Sequence, residues 1–163
     1  MAAQEAARAL ALEPGLMLAR ADEALGDLLS GSAARCATLS LGPYVGVRAM
    51  CLHSLGRVRD AAQIADSLGA AFTAGTVGDS IFSPTIAARG LAEYYAWTGN
   101  AEESLAWLER AYALSPGGED FRVIDSGIYD KVRNDPRFKA GLQRARTQIY
   151  DRVRRARLGV RLK

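Results

Sequence analysis

Residues 84–116 read PTIAARGLAEYYAWTGNAEESLAWLERAYALSP, and this stretch decides the fold. Ser83-Pro84 sets an N-cap before a proline suited to the first turn of a helix, and Asn100, directly after Gly99, is placed to cap a second helix. Two helical windows therefore meet at one glycine. The end of the stretch, Ala111-Tyr112-Ala113-Leu114-Ser115-Pro116, has a counterpart in Ala9-Leu10-Ala11-Leu12-Glu13-Pro14, 102 positions earlier. That offset is three steps of about 34 residues, the length of one helix–turn–helix repeat unit.

Gly31 and Gly56, like Gly99, each close one apolar helical window and stand before another. Their intervals, 25 and 43 residues, together make two steps of about 34, one shortened pair followed by one with an insertion. The chain is expected to be all-α, an antiparallel helix-pair superhelix with helix pairs at 17–41, 43–72 and 84–116. Residues 73–83 are rich in Gly, Ser and Thr and read as the inserted loop. Residues 1–14 supply only the second helix of a pair, a half repeat. Its unpaired face leads to the expectation of a longer parent protein, or of a homo-oligomer formed through that half repeat.

The residues at these positions resemble the tetratricopeptide repeat family. With Gly99 as the turn, Leu91, Ala92 and Tyr95 fall where the family places Leu, Gly and Tyr, and Leu108, Ala111 and Pro116 match its second helix and its end. Ser104 departs, standing where the family has its most typical alanine. Around Gly56 the pattern is kept by Ala49, Leu52 and Ala61. Around Gly31 Ala24 fits, and Cys36 replaces the packing alanine. The segment Ile124 to Phe138 is similar to the one that ends many tetratricopeptide regions of bacterial signalling and transcription regulators, often placed after kinase, cyclase or DNA-binding domains.

Composition agrees with a folded helical chain. Of 163 residues, 49% are hydrophobic and 24% charged, and alanine, leucine and arginine outweigh the β-branched residues. Charged residues interrupt every apolar run before the roughly 20 residues that span a bilayer, and the N-terminus lacks the pattern of a secretory signal. The expectation is a cytoplasmic protein without a membrane span. Cys36 and Cys51, in apolar windows, read as buried thiols. Neither they nor the single His53 have the close pairing of a metal site.

The net charge of +3 hides an asymmetry: −7 over residues 1–130 and +10 over residues 131–163. In the latter, Phe138, Leu142, Ala145, Ile149, Val153, Ala156 and Val160 recur at intervals of three and four, predicting an amphipathic helix. Arg144, Arg146, Arg152, Arg154, Arg155 and Arg157 flank that stripe as candidate anion-binding residues. The main expectation is a basic capping helix whose arginines pair with the acidic repeats. Nucleic acid or an anionic membrane surface is the alternative, although only Tyr150 interleaves as a stacking surface would require.

No nucleophile–base arrangement is present, and Gly75-Thr76-Val77-Gly78 lacks the lysine and the context of a phosphate loop. The adjacent acids Glu102-Glu103 and Glu119-Asp120 suit helix starts. The chain is therefore read as a binding protein and not an enzyme, with no cofactor. The family resemblance implies that the first helix of each pair lines a groove, which places Met50 and His53 from one unit and Arg89, Glu93 and Trp97 from the next in contact with a partner. The expected function is protein–protein interaction, a partner peptide or helix held in that groove, within a regulatory or signalling protein. The alternative is an accessory nucleic-acid-binding domain acting through the arginine helix.

Overall fold

Residues 17–39, 41, 44–77, 83–114 and 126–160 are described by the computed structural model. Among them are seven α-helices and no strand: α1 (Met17–Leu29), α2 (Ala33–Cys36), α3 (Val45–Ser54), α4 (Val58–Ala74), α5 (Ser83–Thr98), α6 (Ala101–Leu114) and α7 (Pro136–Val160). A 3-10 turn at Gly127–Tyr129 precedes α7. The expected half repeat at residues 1–14 lies outside the described residues. Among the described residues no helix is long and apolar enough to cross a membrane.

One kind of turn ends α1, α3 and α5, and α4 closes in the same way on Gly75. Gly31, Gly56 and Gly99 have φ of 85°, 77° and 87°, a region open to glycine because it lacks a Cβ. The residue after each glycine donates its N–H to the carbonyl five residues back: Ser32 to Asp27 at 2.7 Å, Arg57 to Leu52 at 2.9 Å and Asn100 to Tyr95 at 2.8 Å. This closure satisfies carbonyls that the helix end leaves open and turns the chain into the next helix. Two of the three expected caps, Asn100 and Asp135, form. Asn100 Oδ1 accepts from the Glu103 N–H at 3.2 Å, and Asp135 Oδ1 accepts from those of Arg137 and Phe138 at 2.7 and 3.1 Å.

Two boundaries differ from expectation. Helix α4 runs through Ala74 and closes on Gly75, where Thr76 donates to Ala71 O at 2.9 Å, so the expected loop gives its first two residues to a helix. Ser83 is the first residue of α5 and not the residue before it. The second helix of the first pair is only the four residues of α2, held to α1 by Arg35, which pairs with Glu23 and Asp27 at 2.7 Å each.

Helix α3 packs on α4 and α5 on α6, while α1, α3 and α5 lie side by side. Ala24, Ala49, Ala61, Ala92 and Ala111 are all buried, the small side chains letting neighbouring backbones approach. Ser104, which departs from the family pattern, is fully buried and donates from Oγ to Ala92 O at 2.9 Å, joining α6 to α5. The two residues stand equally far on either side of Thr98, as they must in an antiparallel hairpin.

The cysteines are buried as expected but are not free. Cys36 and Cys51 form a disulfide, their Cα atoms 6.1 Å apart, linking α2 to α3. Helix α7 lays Phe138, Leu142 and Ala145 against the rest of the protein, with Gly141 seated over the Leu105 side chain of α6. Tyr129 and Val132, fully buried, fill the space before it, the Tyr129 ring 6.1 Å from that of Phe138. The side chains of Ile149, Val153, Ala156 and Val160 lie outside the described residues.

Candidate partner-binding site

The first helices of three consecutive pairs meet around a cavity of ≈ 160 Å³. Helix α1 contributes Ala21, Asp22 and Leu25, Tyr44 stands just before α3 and Val47 on it, and α5 contributes Ile86, Arg89, Gly90 and Glu93. Gly46 and Gly90 bring the backbones of α3 and α5 together beside it. Arg89 Nε donates to Glu93 Oε1 at 2.9 Å one turn along α5, with the Glu93 side chain only 8% exposed.

Asp22 stands at the mouth, an exposed residue whose carboxyl group is partly withdrawn from water. That withdrawal raises its pKa above the usual carboxylate value, and the nearby Arg89 guanidinium pulls the other way. Burial likewise raises the Tyr44 phenol, with Asp22 adding to the rise and Arg89 opposing it. Neither Asp22 nor Tyr44 makes a side-chain hydrogen bond or ion pair with another described residue. The lining holds two carboxylates against one guanidinium.

Of the groove residues expected from sequence, the structure brings Arg89 and Glu93 into this cavity and separates the others. Met50 is fully buried in the core and reaches no surface, because α5 packs over the face of α3 that carries it. Trp97 is half-buried two helical turns beyond Arg89, where its Nε1 donates to Ser54 Oγ at 3.0 Å and Lys131 Nζ lies 5.8 Å from the ring centroid. His53 belongs to that second cluster. Its ring meets Tyr94 edge-on at 6.5 Å, its Nδ1 is buried without a hydrogen-bond partner among the described residues, and burial, helped by Lys131, lowers its pKa below 6.5.

Asp22 and Tyr44 were missed by sequence reasoning, although a signal for part of the α1 wall existed. Arg89 and Glu93 stand ten and six positions before Gly99, and the same offsets from Gly31 fall on Ala21 and Leu25, both in the lining. Asp22 follows Ala21 directly. Tyr44 lies before α3 begins, at a place no helical register reaches.

The arginine helix presents a different surface. Arg144, Arg154 and Arg155 are exposed and Arg146 is half-buried, while the side chains of Arg152 and Arg157 lie outside the described residues. Among the described residues Arg144, Arg154 and Arg155 form no ion pair. Contact of α7 with the body comes instead from its apolar face.

Among the described residues no group of three or more His, Cys, Asp or Glu side chains is placed to hold a metal ion. Comparison with family models, with curated proteins and with solved structures returned no match.

Proposed function

We propose that this chain is a protein-interaction module, a tetratricopeptide-like superhelix that holds a peptide or helix of a partner protein against the surface shared by α1, α3 and α5. In this reading it acts in the cytoplasm as part of a larger regulatory or signalling protein, with α7 as its basic cap, and it works by binding without catalysis or a cofactor.

The observation that carries the reading is the cavity itself, where three first helices contribute apolar walls and polar groups to one small concave site. The like closures at Gly31, Gly56 and Gly99, each between the two helices of a pair, support the repeat assignment. Peptide recognition by a few anchors in such a site fits the mixture of Arg89, Tyr44 and Leu25.

The test is selection from a displayed library of random peptides, followed by fluorescence polarisation with the selected peptides. Enriched peptides should bind wild type and lose affinity for a Leu25→Ala, Tyr44→Ala variant of matched helical content. Absence of enrichment, or equal binding to the variant, would remove this reading of the cavity.

A second reading, nucleic-acid binding through α7, draws on exposed arginines that form no ion pair among the described residues. Phosphate contacts release counterions, so binding of a random duplex should weaken steeply as salt rises and be lost when residues 144–163 are removed. A peptide-binding module predicts neither result.

A further inference from the structure

We propose that the cavity between α1, α3 and α5 is a pocket for one basic side chain, a lysine or arginine of the partner peptide. The inference rests on the peptide-binding reading and assigns the chemistry of its anchor.

The volume limits what can enter. A cavity of ≈ 160 Å³ takes one long side chain, whereas pockets for drug-sized ligands run to roughly 300 Å³ and beyond. Its walls are Leu25, Val47 and Ile86, which suit the methylene stem that lysine and arginine lay along apolar surface while their charged end reaches a polar group.

Charge then chooses among long side chains. Arg89 is engaged by Glu93 at 2.9 Å, so the carboxylate left facing an incoming group is Asp22. A carboxylate drawn partly out of water beside apolar walls, without an ion-pair partner among the described residues, lowers its free energy by meeting a cation. A leucine or methionine in the pocket would strip Asp22 of further water and return nothing. A glutamate would meet two carboxylates, Asp22 and Glu93, against the single Arg89 guanidinium that Glu93 already engages. Tyr44 adds to the preference, because an aromatic ring in the lining attracts ammonium and guanidinium groups and its hydroxyl offers them an acceptor.

The experiment uses the full chain labelled with ¹⁵N and titrated with four probes: the Nα-acetyl methylamides of lysine, arginine, norleucine and glutamate. Amide shifts of Leu25, Val47, Ile86 and Gly90 report occupancy. The lysine and arginine probes should saturate these shifts and bind at least about tenfold more tightly than norleucine or glutamate, the ratio expected for a charge-assisted hydrogen bond. Asp22→Asn should abolish the preference. Tyr44→Phe, which keeps the ring, should retain most of it.

Equal binding of norleucine, tighter binding of glutamate, no saturable shift with either basic probe, or an Asp22→Asn variant with its preference intact would each overturn the proposal. Peptides from the displayed library separate its failure from that of the reading beneath it. Peptides that depend on Leu25 and Tyr44 but bind unchanged when their basic residues become norleucine would sink the basic pocket alone. A library that yields no peptide, together with silent probes, would sink both.

Discussion

A Cβ built on Gly46 would come 2.6 Å from the carbonyl oxygen of Gly90, whereas one built on Gly90 would stand 3.6 Å from the Gly46 Cα. The contact between α3 and α5 is therefore asymmetric. At Gly46 the obstacle is backbone and cannot yield, while at Gly90 the new methyl group would sit at ordinary van der Waals distance.

Gly46→Ala should lower stability by about 1–3 kcal/mol or more through overpacking. Gly90→Ala should be neutral, or stabilise by up to about 1 kcal/mol because alanine favours the helix. Urea denaturation of the two variants checks this directly. Equal destabilisation would mean that α3 and α5 approach less closely than described.

The Cys36–Cys51 disulfide closes a loop with a sequence separation of 15. A loop of that length contributes about 3 kcal/mol by restricting the unfolded chain. Cys36→Ser with Cys51→Ser, or treatment of wild type with reductant, should lower the urea midpoint correspondingly, and a thiol titration of the unfolded, unreduced protein should find no free thiol. Disulfides are rare in a reducing cytosol, so trapping thiols at lysis also tests the cytoplasmic proposal. Cysteines oxidised in the cell would speak against it.

His53 makes stability depend on pH with a definite sign. Its folded pKa is lowered, first by burial and then by Lys131, while the unfolded value is near 6.5. Between those values the unfolded chain binds more protons, so the His53 contribution is whole above pH 6.5 and is lost as pH falls through the folded pKa. His53→Gln should flatten this part of the profile. A wild-type urea midpoint that does not fall on acidification through this window would contradict the half-buried neutral ring.

Ser104→Ala removes the hydrogen bond to Ala92 O but leaves a small residue at the α5–α6 contact. The expected cost is about 0.5–1.5 kcal/mol. Ser104→Val, which adds bulk to a fully buried site, should cost more. If alanine proved the worse of the two, the space around Ser104 would not be closed.

Trp97 and Arg89 lie eight residues apart on α5, a separation of about 12 Å along the helix axis. Trp97→Ala should therefore change the affinity of cavity-directed peptides by no more than about twofold, since sites this distant act nearly independently. Leu25→Ala with Tyr44→Ala, which strips the cavity lining, should weaken the same peptides. Polarisation measurements that show the reverse order would move the site to the Trp97, Ser54 and Lys131 cluster.

Much of the local structure was legible because its causes are local. Gly31, Gly56 and Gly99 end helices since each helix must turn where a left-handed residue is cheapest. Asn100 and Asp135 act as caps through their own side chains, a few residues from the groups they bind. The site was legible only in part. Met50 and Glu93 both stand six positions before a turn glycine, so their local signal is the same. One is sealed by the neighbouring helix, and the other lines a cavity in an ion pair with Arg89.

What the sequence determined by itself was the succession of helices, their turns, their caps and the apolar face of α7 near Phe138, all set by interactions within a few residues of one another. Only the tertiary structure decided that Cys36 and Cys51 come within bonding reach, that Met50 is core, and that Asp22 and Tyr44 share a cavity with Arg89. Those outcomes depend on how closely helices far apart in the chain approach. That spacing is fixed by packing across three helices at once, the Gly46–Gly90 contact included, and no single segment carries it.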